Sequence, residues 1–165
     1  MTQLKETPLG QLLNSPLKPG KLQWIGLRPG RAEVMLTPNS ATLIAGRGIE
    51  GDRYRTSHNG SRQATLIAAE SLISIASFLG RSEVPPELLR RNFVTVGINL
   101  VALKGRSFRL GAALLEYSGD CAPCSRMEAA LGAGGYNAVR GHGGITARII
   151  EGGDVHIGDA VCRSD

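Results

Sequence analysis

The sequence predicts a mainly β domain: seven or eight short strands in a closed barrel or mixed sheet, with two or three short helices set into it. Three observations lead there. Glycine is abundant, 22 of 165 residues, against a usual share of about 7 %, which marks many tight turns. The apolar runs are short and bounded by Gly, Pro, Asn and Ser, the signature of strands separated by turns. Few stretches carry sustained helical spacing of apolar residues.

The elements follow in order. Residues 1–19 read as a lead-in, because Pro8, Pro16 and Pro19 prevent a continuous helix, and the terminus is expected to be partly loose. Residues 20–165 form the barrel domain. Residues 21–27 read as a strand with Leu22 and Trp24 on one face. Residues 32–36 and 41–44 are further strands, separated by Pro38-Asn39. Residues 63–67, preceded by Asn59-Gly60-Ser61, read as a buried strand. Leu72, Ile75, Ala76 and Leu79 repeat at helical spacing, and Gly80 stands where a C-terminal cap belongs. Pro85-Pro86 opens a short helix over residues 87–91. Strand patterning resumes at 93–96, 107–110 and 114–117. Pro123 predicts a helix through Leu131, closed by Gly132. The end of the chain reads as a hairpin, 145–150 and 155–157 about a Gly152-Gly153 turn, and Gly158-Asp159 turns into 160–162.

Composition narrows the function. Hydrophobic residues make up 42 % and charged residues 20 %, a globular rather than a disordered balance. Lys plus Arg is 19, Asp plus Glu 14, and the net charge +5 favours anionic partners. Aromatics are only 4 %, so nucleic acid, which needs stacking platforms, is a poor fit. No apolar run approaches the ~20 residues of a membrane helix, and the first residues lack an apolar signal core. A cytoplasmic protein with no membrane partner is expected. The three cysteines, an odd number, argue against a secreted disulfide scaffold.

Several motifs bear on chemistry. Gly46-Arg47-Gly48-Ile49-Glu50-Gly51 matches G-x-G-x-x-G, but the polar stretch 52–61 follows it where a dinucleotide fingerprint needs a helix. It reads as a glycine-bearing loop. Cys121-Ala122-Pro123-Cys124 lacks the second pair a zinc site needs; Cys162, His142 and His156 would complete one only by chance geometry. A thioredoxin-like pair would need a βαβ setting. Two readings stay open: buried cysteines serving as small apolar residues, or a reactive Cys124 thiolate at a helix start, aided by Arg126. Arg90-Arg91-Asn92, the group Arg47, Arg53, Arg55 and Arg62, and Arg140-Gly141-His142-Gly143-Gly144 place arginine beside glycine-rich backbone, a pairing suited to phosphate oxygens. His58 and His156 read as exposed residues, Asp52 as a turn residue, and Asn92 as a helix-end cap or a polar group facing a pocket.

The ordered set of pieces resembles a MOSC domain, the module named after the C-terminal part of molybdenum cofactor sulfurases. It runs from about Gly20 to Cys162. The pieces are Gly48-Ile49-Glu50-Gly51-Asp52-Arg53, Arg62-Gln63-Ala64-Thr65-Leu66, Arg90-Arg91-Asn92-Phe93-Val94, Gly97-Ile98-Asn99-Leu100, Phe108-Arg109-Leu110-Gly111, Pro123-Cys124 and Gly152-Gly153-Asp154-Val155-His156-Ile157-Gly158-Asp159. The family's Arg-Glu-Asn element stands here as Arg90-Arg91-Asn92, with Arg for Glu. The C-x-P-C-x-x-M form ending at Met127 resembles a subgroup of small stand-alone members. The resemblance implies a closed β-barrel of about seven strands, of the kind shared with pyruvate-kinase barrels. It implies binding of molybdenum cofactor (molybdopterin), an anionic pterin, or sulfur carriage as a cysteine persulfide. Its characteristic cysteine falls on Cys124, as metal ligand or sulfur carrier, with Cys121 as a resolving thiol. Asp52, Arg62, Arg91, Asn92, Arg140 and His142 are the implied pocket residues. Enzymatic use would be reduction of N-hydroxylated substrates with an external electron donor, or sulfur transfer from a donor protein. A non-catalytic molybdopterin delivery module is the alternative. The pyridoxal-phosphate domain of full sulfurases has no room in 165 residues, so that dependence is expected in a partner.

Overall fold

The computed structural model describes residues 6–164. Ten strands are present among them: β1 (Gly20–Ile25), β2 (Ser40–Ile44), β3 (Gly48–Ile49), β4 (Ala64–Ala68), β5 (Phe93–Val96), β6 (Ser107–Leu110), β7 (Ala113–Asp120), β8 (Ile145–Glu151), β9 (Gly153–His156) and β10 (Ala160–Ser164). Five short helices accompany them: α1 (Pro8–Leu13), α2 (Ala69–Phe78), α3 (Pro86–Leu89), α4 (Ser125–Leu131) and α5 (Gly135–Val139), with a 3-10 turn over Leu100–Leu103. Seven strands close a barrel in the order β1-β10-β6-β7-β8-β4-β5, and β3-β2-β9 form a side sheet. No described helix is long and apolar enough to cross a membrane.

The period of two in β4 and β5 explains the layering. These strands pair in parallel, Leu66 opposite Phe93 and Ile67 opposite Val94. Leu66 and Phe93 point into the barrel with Leu22, Ile25, Phe108, Leu110 and Leu115. Ile67 and Val94 point outward, into a second core with Ile75, Leu89, Met127, Leu131 and Val139. A parallel pair needs a crossover, and α2 and α3 supply it on the outer face. Strand β4 is therefore covered on both faces, which is why ATLIA reads as one continuous apolar run. Phe93 is fully buried, a burial that stabilises by about 1.5–3 kcal/mol.

The predicted strands recur with four corrections. A bulge between Leu22 and Trp24 shifts the register of β1 against β5. Leu22 and Ile25 face the barrel interior while Trp24 packs on the outer core, so Leu22 and Trp24 do not share a face. Residues 32–36 form no strand. Ala32 has φ 58°, which breaks extended backbone, and only Leu36 bridges Leu27. The terminal hairpin does not form: β8 pairs with β4 and β7, whereas β9 pairs with β2. Gly152 is the corner, lying so close to the Leu43 carbonyl that a Cβ there would approach it to 2.5 Å. The helices among the described residues number five rather than two or three, because α1 and α5 lack a legible apolar period.

In the lead-in, residues 1–5 lie outside the described residues. Thr7 Oγ1 accepts from the Gly10 amide at 3.0 Å and starts α1. Arg106 and Arg163 donate to the carbonyls of Leu13, Asn14 and Ser15 at its end.

Candidate functional site

Four loops converge beside the barrel: the segment after β1, the turn between β3 and β4, residues 90–92 ahead of β5, and residues 121–124 after β7. Asp52 and Asn92 form their frame. Asp52 is 2 % exposed. Its Oδ1 accepts from the Arg28 amide at 2.8 Å, Arg28 Nε at 3.1 Å and Asn92 Nδ2 at 3.2 Å. Its Oδ2 accepts from Arg28 Nη2 at 2.8 Å and the Tyr54 amide at 3.2 Å. Burial alone would push this carboxyl up; the hydrogen bonds and charge of Arg28, with the two amides, outweigh it and hold Asp52 below its usual value. Asn92 Oδ1 accepts from the amide and hydroxyl of Thr65, both at 3.1 Å, and Nδ2 also donates to the Gly26 carbonyl at 3.1 Å. Every polar valence of the Asn92 side chain is thus used inside the protein. Asn92 is neither an exposed cap nor a group facing an open pocket; it ties β4, the end of β1 and Asp52 together.

The arginines are the groups left to act. Arg91 is 7 % exposed; its Nε donates to the Gly143 carbonyl at 2.9 Å and its Nη1 to the Leu89 carbonyl at 2.7 Å. Its Nη2 is buried with no partner. Burial lowers its pKa first; Cys121 and Cys124 oppose that, while Arg62 and Arg28 add to it. Arg90, in the left-handed conformation at φ 54°, donates to the carbonyls of Glu33 at 2.7 Å and Gly30 at 3.1 Å. Its pKa is also lowered, by burial and then by the charges of Arg28, Arg53 and Arg126, with Asp52 opposing. Arg28, Arg53, Arg62, Arg90, Arg91 and Arg126 therefore share one region of charge, in which the Asp52 carboxylate opposes the lowering at Arg90.

The two cysteines differ. Cys121 is 2 % exposed; its amide donates to the Gly144 carbonyl at 2.8 Å, and its Sγ accepts from Arg62 Nη2 at 3.8 Å. Cys124 is exposed and caps α4, which starts at Ser125, with Pro123 outside the helix. The glycine loop 141–144 packs against this segment. A Cβ on Gly143 would stand 2.1 Å from the Cys121 carbonyl, and one on Gly144 1.9 Å from the Leu66 carbonyl, so neither position admits a side chain.

Arg140 and His142 lie elsewhere. They line a cleft of about 460 Å³ with Cys121, Lys104 and Tyr136. None of Asp52, Arg62, Arg91, Asn92 and Cys124 lines it. The structure thus divides the predicted residues into an arginine cluster and a cleft, with Cys121 common to both. His58 shares a hydrogen bond with Ser57 Oγ at 2.9 Å, His156 lies 3.7 Å from Asp159 Oδ2, and both are on the surface. Cys162 sits on β10 opposite Arg109. Among the described residues no group of three or more His, Cys, Asp or Glu is placed to hold a metal ion. The Gly46–Gly51 stretch contains β3 and turns, with no helix after it. The sequence motifs do not single out Arg28, Lys104 and Tyr136. Arg28-Pro29-Gly30-Arg31 repeats the arginine-beside-glycine pattern of the other loops, the signal that could have found it.

Known proteins share this architecture. The YuaD protein from Bacillus subtilis superposes with a TM-score of 0.77 at 20 % identity, over 88 % of this chain and 95 % of that one. YiiM from Escherichia coli gives 0.66 at 18 % identity, over 88 % and 70 %. YiiM from Geobacillus stearothermophilus gives 0.63 at 16 %, over 88 % and 75 %. At these identities the likeness carries the fold. A comparison with curated proteins finds no match. Residues 52–162, more than half of the chain and most of the barrel, match the family model of the MOSC domain, and with that barrel and that match the chain belongs to the MOSC domain family.

Proposed function

We propose that this protein binds molybdenum cofactor at the arginine cluster, with Cys124 as its thiolate ligand. The observation that carries the reading is Arg91: a buried guanidinium with Nη2 unpaired, among five other arginines and beside the two thiols. A buried cation without a partner is costly, and an anionic ligand removes that cost. The donor set fits the group. Guanidinium forks suit the phosphate of the pterin, and a soft thiolate suits a molybdenum–dithiolene centre. The family's association with this cofactor agrees.

Arg62 and Arg91 would hold the anionic part, joined by Arg28, Arg53, Arg90 and Arg126. Asp52 and Asn92 would orient Arg28 and the loops rather than touch the ligand. When bound, the group supplies two-electron redox chemistry, of which reduction of N-hydroxylated substrates with an external electron donor is the family-like use. Exposure of Cys124 favours a second reading, in which it carries sulfur as a persulfide from a donor protein or delivers cofactor without turnover. The three free cysteines suit a reducing compartment such as the cytoplasm.

Native mass spectrometry with molybdenum analysis, on protein from a cofactor-producing host beside Cys124→Ser, tests this. A molybdenum-bearing adduct in the parent that is lost in the variant is expected. A parent with neither the adduct nor extra sulfur mass on Cys124 overturns both readings.

A further inference from the structure

The cleft that takes Arg140 and His142 away from the arginine cluster has a chemistry of its own. Its volume, about 460 Å³, falls within the range of small-molecule sites. Two fixed cations line it. The Lys104 ammonium has no hydrogen bond or ion pair among the described residues. Arg140 has only a long hydrogen bond, 3.4 Å, to Asn137 Oδ1. The one acid in the lining, Asp120, already accepts from the Tyr117 hydroxyl. Burial, and then that contact with the Asp120 charge, push Tyr117 up to about 12. Positive charge is therefore in surplus and unpaired on this face.

The rest of the wall is mixed, with Ser71, Asn99 and His142 as its polar members and an apolar part beside them. Leu100, Val101, Pro123, Tyr136 and Ile145 line it, and Val101 and Tyr136 are 61 % and 42 % exposed. His142 is steadied from outside by the edge of Phe78, ring centroids 5.2 Å apart. An apolar wall section beside two unpaired cations complements a small molecule with an apolar body and one anionic group. We infer that the cleft is a second ligand site, adjoining the arginine cluster at Cys121 and Gly143 but not lined by its arginines, and that it takes small carboxylates with an apolar body. A neutral aromatic would leave Lys104 and Arg140 as they are, and an inorganic anion would leave the apolar wall in water. The inference stands apart from the cofactor reading, and loss of a molybdenum adduct does not touch it.

Isothermal titration with sodium benzoate, benzyl alcohol and benzylamine tests it, on the wild-type chain, Lys104→Glu, Arg140→Glu and Arg62→Glu. Lys104 and Arg140 are exposed, so their variants are expected to fold. Benzoate is expected to bind at least about tenfold more tightly than the alcohol or the amine. Lys104→Glu and Arg140→Glu should each weaken benzoate by at least about tenfold, and Arg62→Glu should leave it unchanged. Benzoate binding that survives both cleft variants, or is lost in Arg62→Glu, places the anion at the arginine cluster and overturns the inference. Equal binding of benzyl alcohol, or no benzoate binding, also overturns it.

Discussion

At Asp52 a single carboxylate organises much of the candidate site, because all its acceptor positions are spent on Arg28, Asn92 and Tyr54. The sign of its pH effect follows. Its folded pKa lies below its unfolded one, so the stability it contributes is complete above about pH 4, the unfolded value. That stability is lost as pH falls through the lower folded value. Asp52→Asn keeps the shape and removes the charge that Arg28 faces, at an expected cost of about 1.5–3 kcal/mol at pH 7, the range for hydrogen bonds to a charged group. Urea unfolding at pH 7 and pH 3 checks this: the gap between wild type and variant should narrow in acid. A gap of the same size at both pH values would show that Asp52 acts only through its shape.

At the scale of elements, the loop between α5 and β8 is the joint between cleft and barrel. Gly141 and Gly144 both have positive φ, 77° and 87°, but nothing lies within 4 Å of a Cβ added at Gly141, while one at Gly144 meets the Leu66 backbone. Gly141→Ala should therefore cost about 1 kcal/mol of backbone strain. Gly144→Ala should cost several times more or prevent folding, since a backbone carbonyl cannot swing aside. Thermal unfolding of the two variants side by side measures the difference; equal midpoints would mean the loop can lift off β4.

The same scale shows what was legible in the sequence. Strands β4, β5, β6 and β8 are readable because each buries alternate or continuous apolar residues within its own length. The partner of β9 is not, since Gly152 and the Leu43 carbonyl decide it and these are far apart in the chain. Helix α5 is hidden between glycines, and β3 is only two residues long. In the site, Arg62, Arg91 and Cys124 are legible as arginines beside turns and a cysteine beside proline. That Asp52 and Asn92 frame the site depends on Arg28 and Thr65, which only the barrel brings to them. The separation of Arg140 and His142 from the cluster likewise depends on how the 141–144 loop packs on Cys121.

Over the whole molecule, the net charge of +5 is unevenly spread, with six arginines sharing one region. A bound anion should relieve their mutual repulsion. Sodium sulfate is expected to raise the thermal midpoint, and the gain should shrink from 0.1 M to 1 M NaCl as the screening length falls from about 10 Å to about 3 Å. Arg91→Gln should lose most of the gain. An equal gain in the variant would mark the general exclusion effect of sulfate rather than binding.

The barrel and the helix layer share strands β4 and β5 but bury separate cores. The bulge in β1 sends Trp24 to the helix side, and it is the only tryptophan in the chain. Its emission thus watches the helices dock and is blind to the barrel interior, whereas far-ultraviolet dichroism sees both. If the emission changes before the dichroism on heating, the helices have peeled from a standing barrel; coincident curves mean that the two layers melt as one cooperative unit.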